Sequence, residues 1–189
     1  DLEEAALILP EPAFNGIGDP GELALRWQPA PVSRLTGTLD TGRGQWRVLA
    51  SRPRQGWRLG LSLGLGQPAP AAEPGVGRVI GSLPRLPLGE WADLVRTLAP
   101  ERLGHGGGLS LPRLEADVTA GTLAWRDSDL GGGRVVLNGR SEHDAYVLTT
   151  DLQGERAAGR LQWKRLADRR NDLRVRLERL ILPAPGDWT

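Results

Sequence analysis

From Trp57 to Leu65 the chain reads Trp-Arg-Leu-Gly-Leu-Ser-Leu-Gly-Leu. Trp57, Leu59, Leu61, Leu63 and Leu65 are large and apolar, whereas Arg58, Gly60, Ser62 and Gly64 are polar or bare. Successive side chains of a strand point to opposite faces, so this stretch has one apolar face and one polar or bare face. Strands of this kind recur along most of the chain. They describe a β-rich binding or structural module and show no catalytic chemistry.

Composition fits that reading. The 26 glycines and 15 prolines, with 39% hydrophobic residues, are a punctuated β composition and not a disordered one. The chain opens at Asp1 and contains no methionine, so a processed chain or a section of a longer protein is expected. The formal net charge is +1, and arginine alternates with acidic residues instead of clustering. Nucleic-acid binders concentrate basic charge against phosphates, so no nucleic-acid partner is expected. Without cysteine there is no disulfide, thiol nucleophile or zinc–thiolate site. No apolar run approaches the ~20 residues of a membrane span, and no signal peptide is visible.

Taken in order, Leu7–Pro10 is a short strand stopped by proline, and 11–21 is a loop rich in proline and glycine. Alternation then marks strands at 22–28, 34–40, 45–51, 57–65 and 76–83, with 67–75 a Pro/Ala-rich surface linker. The period changes at Leu86–Leu98. Leu88, Trp91, Leu94, Val95 and Leu98 recur every three or four residues, which predicts one short amphipathic helix near 88–99 with Gly89 as a weak cap. Residues 102–108 form a glycine-rich hinge. Strands resume at 111–125, 134–141, 145–153, 157–166 and 172–182, at the short regular spacing of an antiparallel meander. The whole is a single β-rich segment: a first strand run to 83, helix and hinge over 84–108, and a second strand run over 109–183. Ser82-Leu83-Pro84-Arg85-Leu86 returns as Ser110-Leu111-Pro112-Arg113-Leu114, which reads as reuse of proline as a strand stop.

Candidate chemistry is sparse. His105 and His143 are the two histidines, and no ligand spacing joins them into a metal site. Asp127-Ser128-Asp129 before Gly131-Gly132-Gly133 resembles a calcium loop but lacks the closing glutamate, so a hairpin turn is expected. Gly104–Gly108 lacks the phosphate-binding fingerprint, and no serine sits in a nucleophile elbow. No catalytic residue, cofactor or metal is assigned. Tryptophan adjoins a cation at Trp27, Trp46, Trp57, Trp125 and Trp163. Strand neighbours face opposite ways, so each pair places tryptophan on the apolar face and the cation outside. The apolar face is either the core of a closed sandwich or an open groove. About seven strand residues span ~23 Å, comparable to an extended acyl chain. Burying such a chain at ~0.8 kcal/mol per CH₂ yields on the order of 10 kcal/mol before ordering costs.

A family resemblance runs along nearly the whole chain. Leu9-Pro10-Glu11-Pro12-Ala13 precedes the glycine-rich stretch and the strand at Gly21-Glu22-Leu23-Ala24-Leu25. Gly81-Ser82-Leu83-Pro84-Arg85-Leu86-Pro87-Leu88-Gly89-Glu90-Trp91 leads into the helix, and Leu123–Arg134 reads as strand, glycine turn and returning strand. Ala158-Gly159-Arg160-Leu161-Gln162-Trp163 and Arg176-Leu177-Glu178-Arg179-Leu180-Ile181-Leu182-Pro183 follow. In this order the segments resemble the YhdP family of AsmA-like bacterial envelope proteins.

That resemblance implies an elongated, twisted, mostly antiparallel sheet forming an apolar groove. It implies a section of a protein anchored in the inner membrane of a Gram-negative bacterium through parts outside this segment. Such a protein spans the periplasm and is implicated in phospholipid transport to the outer membrane and in barrier integrity. The expected partners are phospholipid acyl chains, and the expected groove lining is Leu59, Leu61, Leu63, Leu65, Leu173, Val175 and Leu177. The alternative is a closed β-sandwich acting as a structural or adhesive envelope module without lipid. An enzyme is not expected.

Overall fold

The computed structural model describes residues 22–29, 33–40, 44–52, 58–98, 113–126, 128–143, 145–166, 168 and 170–181. The chain is mainly β. Its strands are β1 Glu22–Gln28, β2 Ser33–Asp40, β3 Gly44–Arg52, β4 Arg58–Leu65, β5 Val76–Pro87, β6 Arg113–Trp125, β7 Ser128–Asp129, β8 Gly133–Glu142, β9 Ala145–Gly154, β10 Ala157–Leu166 and β11 Asn171–Leu180. Among the described residues there is one helix, α1, at Leu88–Leu98. All described strands belong to one sheet in the order β1-β2-β3-β4-β5-β6-β8-β9-β10-β11, with the two-residue β7 paired to β6 beside that path. The expected strand at 7–10, the glycine-rich hinge and His105 lie outside the described residues.

Most pairings are antiparallel, as expected, but β4–β5 and β5–β6 are parallel. Parallel neighbours need a connection that returns the chain to the starting edge. One such connection opens with α1. The other is 66–75, which its composition marks as a surface linker and which instead lies down on the sheet. Gly75 N–H donates to the Leu59 carbonyl at 2.7 Å, and Ala69 N–H donates to Gln45 Oε1 at 3.2 Å. A Cβ on Gly60 would strike the Glu73 carbonyl oxygen, and one on Gly64 the Gln67 carbonyl oxygen. Gly60 and Gly64 are therefore bare because this connection passes directly over them.

Proline does not stop β5 where expected. The strand continues through Pro84 to Pro87, and Arg85, Leu86 and Pro87 pair with Thr122, Leu123 and Ala124. Room for Pro84 comes from Gly121, where an added Cβ would approach the Pro84 carbonyl oxygen at 3.0 Å. The helix accordingly begins at Leu88, and Leu86 stays in the strand.

Beyond neighbouring strands, the substantial contacts of the described elements are those of α1 with β5 and β6. Buried apolar side chains form two clusters, while Leu49 and Ala69 are buried where 66–75 crosses the other face of β4. Trp46, Leu63, Leu65, Leu86, Val118, Ala120, Leu123, Leu130 and Ala157 make one buried cluster, with Leu88 and Trp91 of α1 packed against it. Leu114, Leu137, Tyr146 and Leu148 make a second, joined by Leu59, Leu61 and Trp163.

Candidate functional site: an apolar sheet face

Side chains of directly paired residues lie on the same sheet face, so the register follows one face from strand to strand. Leu61 lies beside Gly77, then come Leu114, Gly139, Leu148, Trp163 and Leu173. The next row runs Trp46, Leu63, Val79, Ala116, Leu137, Thr150, Leu161 and Val175. A third runs Leu65, Gly81, Val118, Val135, Leu152, Gly159 and Leu177. Leu59 alternates with Leu61 on β4. The seven residues singled out in the sequence thus share one face, although β4 and β11 are six steps apart in the sheet. At ~4.8 Å per step, the nine steps of the full path carry this face about 43 Å across the strands.

The opposite face is charged. Arg78 Nε donates to Glu115 at 2.8 Å, Arg134 pairs with Asp117 through two bonds of 2.7 and 2.5 Å, and Arg160 Nε donates to Asp151 at 2.5 Å. Partial burial opposes ionisation of Glu115, but the bonds from Arg78 and Arg113 outweigh it and hold the carboxyl below its usual range. The bidentate bond from Arg134 lowers the Asp117 carboxyl in the same way. Three of the tryptophan–cation pairs divide between the two faces, and Trp57 lies outside the described residues. Trp27, Trp46 and Trp163 stand on the apolar face by register, which puts Arg26, Arg47 and Lys164 on the polar one.

Glycines shape the apolar face. Gly77 leaves a gap between Leu61 and Leu114, and Gly139 one between Leu114 and Leu148. A Cβ on Gly139 would strike the Tyr146 hydroxyl, and Cβ atoms on Gly133 and Gly154 would meet Leu123 Cδ1 at 2.5 and 2.9 Å. Large side chains therefore lie over their bare neighbours on this face. The row signal was present in the glycines at Gly77 and Gly139, but reading it requires the register.

Exposure divides the seven candidates. Leu63 and Leu65 are 1% and 3% exposed and belong to the core, with Leu59 and Leu61 half-buried beside them. Leu173, Val175 and Leu177 are 58%, 55% and 59% exposed. Leu25 and Trp27 on β1 are exposed as well. The apolar face is thus covered in its middle and uncovered on the strands at both ends of the path.

A cavity of about 440 Å³ lies on the other side, lined by residues of β8 to β11 that include Asn138, Thr149, Gln162 and Lys164. Two of its guanidinium groups are already paired, Arg140 with Glu142 and Arg174 with Asp172. It is a solvated dip in the polar face. Asp129 accepts a hydrogen bond from Gly131 N–H at 2.6 Å, closing the turn expected there. His143 is exposed in the turn between β8 and β9 at φ 23°. Among the described residues no group of three or more His, Asp or Glu side chains is placed to hold a metal. No helix among them is long and apolar enough to cross a membrane.

No protein-family model, curated protein or solved structure matches the chain.

Proposed function

We propose that this chain is a section of a lipid-bridge protein of the Gram-negative envelope, whose apolar sheet face accommodates phospholipid acyl chains. The observation that carries the reading is the alignment of apolar side chains in continuous rows from β4 to β11, with ion pairs on the reverse face. Acyl chains need no specific polar contact. Each buried CH₂ contributes about 0.8 kcal/mol, so a smooth apolar track is sufficient. The charged reverse face keeps such a sheet in water while its other side holds oil. In this reading the parent protein spans the periplasm from an inner-membrane anchor outside the segment, and its cargo serves the outer-membrane barrier.

A closed sandwich would require a second sheet over the apolar face. The described strands all belong to one sheet, and this supports the open face over that reading. The test is native mass spectrometry of the purified protein. Co-purified phospholipid that is lost in Leu177→Asp and retained in Arg176→Gln supports the carrier. Lipid-free wild-type protein sinks it.

A further inference from the structure

Much of the polar face is tiled by ion pairs between neighbouring strands, Arg78 with Glu115, Arg134 with Asp117 and Arg160 with Asp151. Over β8 to β11 that tiling stops. Asn138, Thr149, Gln162 and Arg174 stand side by side in one row, and Arg140, Val147, Lys164 and Asp172 form the next. These two rows line the cavity of about 440 Å³. Its shape follows from β9. Val147 and Thr149 are short, while their neighbours on β8 and β10 are long. The middle strand therefore makes the floor, where Val147 is 9% exposed, and the flanking strands make the walls.

The wall groups are open to a ligand. The side chains of Asn138, Thr149, Gln162 and Lys164 make no hydrogen bond or ion pair among the described residues. Lys164 is the one lysine among 24 basic residues. Arg140 and Arg174 have carboxylate partners in Glu142 and Asp172, but these guanidinium side chains are 73% and 75% exposed. Water screens such pairs, so they hold their cations weakly. Three cations against two carboxylates leave the lining with a net charge of +1. No aromatic side chain lines the cavity, so a stacked nucleobase has no platform there.

We propose that this cavity binds a small phosphate ester of a polyol. Lys164 and Arg174 are diagonal neighbours on β10 and β11, about 7 Å apart at the Cβ atoms, so both reach one phosphate. Asn138, Thr149 and Gln162 each donate and accept, which suits hydroxyl groups. The volume falls within the range of about 300–1,000 Å³ of small-molecule sites. The site lies on the face opposite the apolar rows and does not depend on the carrier reading.

The purified protein is titrated calorimetrically with glycerol 3-phosphate, with inorganic phosphate and, separately, with phosphatidylglycerol vesicles. The expected result is saturable binding of the ester, at least about threefold tighter than that of inorganic phosphate. Lys164→Gln should weaken it about tenfold or more and Thr149→Val about threefold, with unfolding midpoints unchanged because only cavity-facing atoms differ. Arg176→Gln, outside the lining, should leave it unchanged. Saturation by the free ester assigns a soluble ligand. Binding confined to the vesicles and lost in Lys164→Gln assigns a lipid headgroup of the same chemistry. No saturable binding to ester or vesicle, or binding that Lys164→Gln leaves intact, overturns the site. Inorganic phosphate binding as tightly as the ester overturns the polyol assignment.

Discussion

Leu63 and Val175 stand in the same row of the sheet yet meet different surroundings. Leu63 is sealed under Trp46 and its neighbours, while Val175 faces outward from an end strand. Leu63→Ala should therefore cost about 3 kcal/mol in denaturant unfolding, from lost transfer energy and the cavity left behind. Val175→Ala should cost about 0.5 kcal/mol or less. The Ser62 and Tyr146 hydroxyls are buried with no hydrogen-bond partner among the described residues, and burial pushes the Tyr146 phenol up. Removing an unpartnered buried hydroxyl relieves desolvation instead of breaking a bond. Ser62→Ala and Tyr146→Phe are expected to leave stability unchanged or raise it by about 1 kcal/mol, read from the same unfolding curves. On the polar face, Glu115 is the least exposed carboxylate of the ion pairs, held by Arg78 and Arg113. Its folded-state titration is lowered, so its stabilisation is fully present above the ordinary glutamate value of about 4.3 and is lost as pH falls through the folded value. Glu115→Gln should cost about 2 kcal/mol at pH 7. The gap should close in acid, where the wild type loses the same interaction.

At the scale of elements, the connection 66–75 is where sequence and structure part. Its prolines and alanines read as a free surface stretch, yet Ala69 is 3% exposed and the backbone lies across Gly60 and Gly64. Gly64→Val should lift this connection from β4 and cost about 2 kcal/mol or more, because the added atoms meet backbone and not a side chain that can move. Amide exchange of Gly75, whose N–H is bonded to Leu59, would report the lift directly. Alternation was enough to locate the strands, since it depends only on which face each residue wets. It could not reveal that β4, β5 and β6 run parallel, because pairing direction is set by where the connections pass. Pro84 shows the same limit. Its missing N–H is readable from sequence, but the tolerance that Gly121 provides on the neighbouring strand is a tertiary fact.

At the scale of the molecule, the seven candidate residues were legible as apolar strand positions, and the register places them on one face. Their unequal burial was not legible. Leu59 to Leu65 and Leu173 to Leu177 have the same alternation, and only the sheet's middle and end positions distinguish them. Other residues of the same face, such as Leu114, Leu148 and Trp163, alternate as well. Nothing short of the register identifies them as the bridge between β4 and β11. The carrier account makes the two faces of β11 chemically different at adjacent positions. A photo-crosslinking residue at position 175 or 176 of the protein incubated with phospholipid vesicles tests this most directly. The account predicts phospholipid adducts from Val175, on the apolar face, and few or none from Arg176, on the charged face. Equal labelling from both positions, or none from Val175, would contradict it.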